Sequence, residues 1–129
     1  MSQRSAAAFA FILAVMVGEN ATVAAQETSD GERQFRQRCA ACHALAAGQN
    51  KAGPHLDRII GRRAGSVEGA RYSRALQNAQ IVWDETTLDS FLANPRKAVP
   101  GTTMMIGVPN EGQRKSIIAY LKSLPAAAD

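Results

Sequence analysis

The chain has 129 residues, a length that fits one domain, and 15 Lys and Arg residues against 11 Asp and Glu residues give a net charge of +4. Aromatic residues make up only 5% of the sequence and are not interleaved with the basic ones, so nucleic acid is not expected as a partner. The basic balance suits an acidic protein partner or an anionic surface instead.

The N-terminus has the pattern of an export signal. Arg4 precedes an apolar run over 6–17, and small residues at 23–25 provide a cleavage site. We therefore expect residues 1–25 to be removed as a signal peptide, which leaves 26–129 as the mature domain. The apolar run is shorter than the about 20 residues that span a bilayer, so no stable membrane insertion is expected after removal. Retention of the segment as an uncleaved anchor is the alternative.

The first part of the mature chain is predicted to contain one helix and one long loop. Ser29 and Glu32 have the capping-box spacing, which predicts a helix over about 30–41. Residues 44–70 are rich in Gly, Ala and charge without sustained periodicity, and Gly53-Pro54 is typical of a turn. We expect this stretch to be a loop.

The second part is predicted to hold three more helices. The first is short, over 73–80, and Asp84 can cap the next, which should end near Asn94-Pro95. Residues 96–109 are expected to form a second loop, and Asn110 can cap the last helix. The apolar faces of the two longer helices are Leu88, Phe91 and Leu92, then Ile117, Ile118, Leu121 and Leu124. With no β-hairpin pattern, the sequence predicts a small all-α domain with long loops.

The segment Cys39-Ala40-Ala41-Cys42-His43 reads C-x-x-C-H, the attachment signature of a c-type haem. In that chemistry two thiols add to the two vinyl groups of one porphyrin, and the following imidazole faces the iron. The predicted export agrees with this interpretation, because c-type haem is attached outside the bacterial inner membrane. We therefore expect the protein in the periplasm.

Three other kinds of site share the C-x-x-C pattern. A thioredoxin-like redox dithiol needs a βαβ context, which the strand-poor pattern does not supply. A zinc site needs four ligands, and only His55 adds to the three within the motif. A structural disulfide across two residues is tight. The haem interpretation is favoured over all three.

A second axial ligand must come from elsewhere in the chain. Met104 and Met105 lie in a turn-rich loop after Pro100-Gly101, and a thioether is a soft ligand that favours Fe(II). His55 and the lysines are the other candidates, although His55 is most simply a loop histidine. Met16 would leave with the signal.

These motifs, in this order, resemble those of the class I cytochrome c family, in its mitochondrial-type and bacterial cytochrome c2 branch. The matching residues are Gly31, Phe35, the C-x-x-C-H motif, Gly53-Pro54, Gly61-Arg62, Tyr72, Trp83, the run 94–104, Ile117, Tyr120 and Leu121. The resemblance implies an all-α cytochrome c fold, in which packed N- and C-terminal helices, short helices and long loops wrap one covalent haem c.

The resemblance also implies roles for individual residues. Cys39 and Cys42 would form the thioethers, and His43 and Met104, not Met105, would be the axial ligands. The residues expected around the haem and its propionates are Pro54, whose carbonyl would accept from the axial histidine, with Arg62, Tyr72, Trp83 and Thr102.

Three positions depart from the family pattern. Phe91 stands where a tyrosine hydroxyl usually reaches the axial sulfur, Ile106 replaces a common aromatic residue, and Thr103 replaces a common lysine. These changes affect the expected redox potential and the docking surface. They leave the haem motif itself unaltered.

The implied function is that of a monomeric one-electron carrier, not an enzyme, between respiratory or photosynthetic redox partners. An acidic partner would dock on a ring of basic residues expected around the haem edge, namely Arg38, Lys51, Arg96, Lys97 and Lys115. One alternative is a dedicated electron-accepting subunit of a periplasmic dehydrogenase, towards which the apolar Ile106 points. Another is a gas-binding or peroxidase-like haem protein.

Overall fold

The computed structural model describes residues 19–125 and contains five helices in that range. They are α1 (Glu19–Arg38), α2 (Arg74–Asn78), α3 (Glu85–Ala93), α4 (Pro95–Ala98) and α5 (Glu111–Ser123). The described residues form no strand, only one isolated antiparallel bridge between Arg63 and Val82. The all-α prediction is confirmed, and no helix in the described range is long and apolar enough to cross a membrane.

Helix α1 differs from the prediction at both ends. It begins at Glu19 and ends at Arg38, and Ser29 lies inside it, with its hydroxyl donating to the carbonyl of Gln26 at 2.9 Å. The predicted capping box is therefore wrong. The stretch before Ser29 contains no proline or glycine to stop a helix, and Gly31 is tolerated inside it. The predicted cleavage site after Ala25 falls within this helix and stays a prediction, and residues 1–18 lie outside the described range.

The caps predicted for the later helices are present. The Asp84 carboxylate accepts from the backbone N–H of Thr87 at 2.7 Å, and the Thr87 hydroxyl accepts from the N–H of Asp84 at 2.8 Å. Asn110 caps α5 by accepting from the N–H of Gln113 at 2.9 Å. Because these bonds satisfy the first free N–H groups, the two helices begin where the sequence indicated.

The second loop was predicted over 96–109, but its first residues belong to the short helix α4. Asn94 both ends α3 and caps α4, and Pro95 occupies the first turn of α4. A proline at that position loses no hydrogen bond, since its missing N–H would have had no partner within the helix. The proline taken as a stop signal therefore also starts the next helix.

The core forms where α5 packs against α1 and α3. Gly31 allows the close approach of α1, because a Cβ atom at that position would lie 1.9 Å from the backbone oxygen of Ser116. One turn further on, the rings of Phe35 and Tyr120 pack with their centroids 5.9 Å apart. The buried cluster also includes Ile59, Ala64, Trp83, Leu88, Phe91, Leu92, Val99, Val108, Ile117, Ile118 and Leu121. This crossing determines where the end of α1, and the cysteine motif behind it, lies.

Substitution Gly31→Ala should lower the stability of the domain. Alanine normally favours a helix over glycine by about 1 kcal/mol, but here the methyl group collides with backbone, and overpacking costs about 1–3 kcal/mol. Thermal and urea unfolding followed by circular dichroism measure the change. Gln37→Ala, at an exposed position of the same helix, is the control. An unchanged or raised melting temperature for Gly31→Ala would contradict the close packing of α1 and α5.

Candidate haem site

A crevice of about 330 Å³ opens beside the core, and its lining is predominantly apolar. Side chains from α1, α2, α3 and α5 and from both long loops form its walls. All the site residues expected from the sequence line this one crevice: Cys39, Cys42, His43, Pro54, Arg62, Tyr72, Trp83, Thr102 and Met104. The structure therefore brings together residues that lie up to 65 positions apart in the chain.

The cysteine motif forms a tight turn at the end of α1. The N–H of Cys39 donates to the carbonyl of Phe35 at 2.8 Å, and the N–H of His43 donates to the carbonyl of Cys39 at 2.9 Å. The two cysteines form no disulfide with each other, and burial raises the pKa of the Cys39 thiol to about 11. A redox dithiol works through a thiolate of lowered pKa, so this environment does not suit a thioredoxin-like function.

His43 is held by the Gly53-Pro54 turn. Its Nδ1–H donates to the carbonyl of Pro54 across 2.7 Å, a bond that leaves the Nε2 lone pair available to a metal. The backbone at Gly53 lies against the ring, because a Cβ atom there would be 2.4 Å from the Cε1 atom of His43. Burial lowers the pKa of His43, which favours the neutral form that a metal requires.

Arg62 presents a polar donor inside the crevice wall. Its Nη1 and Nη2 groups donate to the carbonyls of Asp57 and His55 at 2.7 and 2.8 Å, whereas its buried Nε–H has no protein partner. Burial lowers the pKa of Arg62, yet a guanidinium remains charged at neutral pH. A buried cationic donor without a partner fits the carboxylate of an anionic ligand, as a haem propionate would supply.

Two aromatic residues line the same crevice as this donor. Trp83 is buried in the crevice wall. Its backbone N–H donates to the carbonyl of Arg62 at 2.9 Å, which holds the two segments together. The Tyr72 hydroxyl accepts from the N–H of Val67 at 3.3 Å, which leaves its own hydrogen free to donate. With Arg62, these residues bring polar donors to the wall of a predominantly apolar crevice.

The loop between α4 and α5 separates the two neighbouring methionines. Thr102 is buried, and its hydroxyl oxygen accepts from the backbone N–H of Met104 at 3.3 Å. Met104 is half-buried against the core cluster, whereas the side chain of Met105 is 63% exposed. Met104 is therefore the better placed of the two to contact a group within the crevice.

Two departures from the family pattern also line the crevice. Phe91 is buried with its ring centroid 5.1 Å from that of Trp83, so a hydrocarbon edge occupies the position where a hydroxyl was expected. Ile106 is 53% exposed and lies beside Met105. The interior is thus more apolar than the family pattern implies, and at the entrance an aliphatic side chain stands in place of an aromatic one.

The predicted ring of basic residues is only partly correct, and Arg96 and Lys97 do not line the crevice. Arg38 lines the crevice, and the Lys51 ammonium donates to the carbonyl of Ala40 at 2.7 Å, close to the motif. Lys115 instead pairs with Glu111 at 2.6 Å and lines a separate, wider groove between α1, α3 and α5, so its assignment to the haem edge was wrong. Arg71 lines the crevice and was missed, because nothing in its local sequence distinguishes it from other loop arginines.

Sequence reasoning also missed Arg114 of α5, which is buried and hydrogen-bonded to Asp89 at 2.7 Å. A signal was present, since Arg114 precedes Ile117, Ile118 and Leu121 at the three-, four- and seven-residue spacing of the apolar face. A charged residue on such a face requires a partner.

The residues present fit a covalently attached haem. Two cysteines, an oriented neutral imidazole, a thioether, an unpaired buried guanidinium donor and an apolar crevice are the groups that a c-type haem needs. Among the described residues, no group of three or more His, Cys, Asp or Glu side chains is arranged to hold a metal ion, which disfavours a zinc site. Fold and site together define a small c-type haem protein.

Comparison with known proteins identifies the family. The cytochrome c family profile matches residues 28–125. Cytochrome c2 of Blastochloris viridis is 38% identical over 118 residues, which cover 90% of this chain and 92% of that protein. "Cytochrome c-type cyt cy" of Rhodobacter capsulatus is 44% identical over 96 residues, but the match spans only 48% of its length. The chain belongs to the cytochrome c family.

The fold is shared with a solved structure of the same family. Cytochrome cH from Methylobacterium extorquens superimposes with a TM-score of 0.69 at 37% identity, over 75% of this chain and 98% of that one. Members of the family carry one covalent haem c and transfer electrons without being enzymes. The protein is therefore a c-type cytochrome that interacts with redox partners, and its cysteine motif fits the attachment of haem c.

Substitution Gly53→Ala should displace the His43 imidazole, because the added methyl group would overlap the ring. Overpacking of this kind costs about 1–3 kcal/mol, and we expect lower haem incorporation and a perturbed spectrum in the haem-loaded protein. Haem content per polypeptide and the reduced optical spectrum measure the effect. Ala52→Ser, at the exposed neighbouring position, should leave both unchanged. Normal haem content and an unaltered spectrum in Gly53→Ala would show that the ring is not confined by Gly53.

Proposed function

We propose that this protein is a periplasmic one-electron carrier whose haem iron is held by His43 and Met104. The observation that carries the proposal is the single crevice in which an imidazole fixed at Nδ1 and a half-buried thioether accompany the two motif cysteines. Haem c, when bound, supplies an iron that changes between Fe(III) and Fe(II) and so holds or releases one electron.

The chain's own residues keep the site unchanged between the two oxidation states. The Pro54 carbonyl fixes the tautomer and the orientation of His43, and the Thr102 hydroxyl holds the backbone of Met104. The apolar walls exclude water, and the unpaired Nε–H of Arg62 is available to a buried propionate. A site that is already organised by packing and hydrogen bonds needs little rearrangement when an electron enters or leaves.

Docking would use the entrance of the crevice. Met105 and Ile106 form a small exposed apolar surface there, and Arg38 and Arg71 line the same crevice. An apolar patch beside cationic residues suits a partner with an acidic rim and a small apolar centre. Such contacts give fast, charge-guided association and permit rapid release, as repeated turnover requires.

The predicted signal and the haem motif support the proposed location. Cleavage after Ala25 would release a mature domain that begins within α1 and contains the whole C-x-x-C-H motif. A c-type haem is attached after export in bacteria, which supports the periplasm. Membership of an electron-transfer family supports a place in a respiratory or photosynthetic chain.

One alternative function is favoured by a particular observation. Exposure of both Met105 and Ile106 also suits a dedicated electron-accepting subunit of one dehydrogenase, because stable interfaces bury more apolar surface than transient ones. Size-exclusion chromatography of the native protein from its source separates the two functions. A free carrier elutes as a monomer, whereas a subunit copurifies with its dehydrogenase.

Substitution Met104→Ala should open the iron to external ligands. The ferric protein should lose its far-red sulfur-to-iron band, and the ferrous protein should bind carbon monoxide, which the wild type should not. Met105→Ala is the matched control and should retain the band, because its side chain is mostly exposed. If Met104→Ala kept the band, or if the wild type bound carbon monoxide, axial ligation by Met104 would be wrong, and a gas-binding or peroxidase-like function would replace the carrier.

Neutralising a crevice arginine should slow electron transfer with an anionic reagent. With hexacyanoferrate(III) as oxidant, Arg71→Gln should react more slowly by roughly a factor of two to ten at low salt, and added salt should remove the difference. Stopped-flow oxidation of the reduced protein measures the rates. Lys115→Gln carries the same charge change in a different groove and serves as the control. Equal rates for both variants at low salt would show that electrons do not leave through the crevice entrance.

A further inference from the structure

Arg114 is a buried cation in a place where the helix pattern calls for an apolar residue. It is 8% exposed and lies in the first half of α5, on the face that also carries Ile117, Ile118 and Leu121. A buried guanidinium is costly unless all its donors are satisfied, so its contacts indicate what it holds together.

Its donors reach two separate parts of the fold. The Nε and Nη2 groups donate to the two carboxylate oxygens of Asp89 in α3, at 2.7 and 3.3 Å. The Nη1 group donates to the backbone carbonyls of Val108 and Pro109, at 3.0 and 2.7 Å. The same side chain thus joins α5 to α3 and to the end of the loop that carries Met104.

Near that end the loop is also held by the buried side chain of Val108 and by one backbone hydrogen bond. The N–H of Val108 donates to the carbonyl of Leu92 at 2.7 Å, so both backbone polar groups of Val108 are fixed. On the other side of Met104, the N–H of Thr102 donates to the carbonyl of Val99 at 3.0 Å. Between Met104 and Val108, the side chains of Met105 and Ile106 are largely exposed. The position of Met104 therefore depends on how firmly the chain is held at Val108 and Pro109.

We propose that Arg114 is a positioning residue that keeps Met104 in the crevice by clamping the carbonyls of Val108 and Pro109 to Asp89. The inference rests on the proposed ligation by Met104. Loss of the clamp frees the end of the loop and allows the thioether to leave, while α1, α3 and α5 stay packed. Asp89 orients the guanidinium, and bidentate pairing restricts the side chain to the geometry that reaches the loop.

A purely structural role would give a different result. The helices α3 and α5 are also joined by an ion pair between Glu85 and Lys122, which touches no backbone group of the loop. If Arg114 only fastened α3 to α5, its loss would lower global stability, and the coordination of the iron would fail only when the whole domain unfolds. The two roles are distinguished by whether the loop opens before the domain does.

The experiment uses the full haem-loaded protein and the variants Arg114→Met, Arg114→Lys and, as matched control, Lys122→Met. Ferric protein is titrated with imidazole, which binds the iron only where Met104 has left, so its apparent affinity rises with the open fraction. Urea unfolding is followed in parallel by the far-red band and by helical circular dichroism. The band reports the loop, and the dichroism reports the domain.

We expect Arg114→Met to bind imidazole about 10-fold to 100-fold more tightly than the wild type, since two hydrogen bonds from a charged group to the loop are lost. Its far-red band should disappear at a lower urea concentration than its helical signal. Arg114→Lys should fall between Arg114→Met and the wild type, because an ammonium can reach only part of the same partners. Lys122→Met should bind imidazole as the wild type does.

Each contrary result has a separate meaning. A wild type without the far-red band overturns the proposed ligation by Met104. A wild type with the band, together with unchanged imidazole affinity in Arg114→Met, overturns the clamp and leaves the ligation intact. Should Arg114→Met fail to fold, Arg114→Lys decides, and wild-type imidazole affinity in that variant also overturns the clamp.

Discussion

The close crossing of α1 and α5 is the contact on which the rest of the structure depends. It requires a residue without a side chain at Gly31, where even a methyl group would overlap the backbone of Ser116. The crossing places Phe35 against Tyr120 and directs the end of α1, with Cys39 behind it, towards the crevice. A helix crossing that contains no functional residue thereby determines where the haem-binding motif lies.

The electrostatic arrangement follows a different rule, in which the half-buried Arg62 and the buried Arg114 both have backbone partners. Arg62 donates to two carbonyls of its own loop, and its Nε–H has no protein partner. Arg114 donates to carbonyls of the preceding loop and to the carboxylate of Asp89. Both therefore hold irregular chain in place, where no helix or sheet hydrogen bonds can do so. Long loops around a crevice can be ordered in this way without a larger apolar core.

Sequence reasoning succeeded where the deciding interactions are local. The caps at Asp84 and Asn110 and the apolar spacing of α5 involve residues within one or two turns, so α3 and α5 were predicted closely. The predicted start of α1 was wrong because the capping-box pattern at Ser29 also fits a helix interior. The site residues were found through motifs whose order resembles a family, and the structure brings them to one crevice. Their roles as ligands remain proposals.

The wrong or missing assignments of charged residues have a common cause. The local sequence does not show which distant residues a side chain contacts in the folded protein. Lys115 and Arg71 are both basic residues in polar surroundings, yet only Arg71 lines the crevice. Arg114 could have been suspected from its place on the apolar face, but its partners, 25 residues away in α3 and 5–6 residues away in the preceding loop, could not. A charged residue on the apolar face of a helix should therefore be expected to have a buried hydrogen-bonding partner.

Trp83 has a practical consequence that follows from its place in the crevice wall. It is the only tryptophan of the chain, and it is 6% exposed. Its fluorescence therefore originates entirely at the site, and a bound haem, which absorbs at the wavelengths of tryptophan emission, quenches it by energy transfer. Trp83 is therefore an intrinsic fluorescence probe: the recovery of its emission measures how far the polypeptide has moved away from its cofactor.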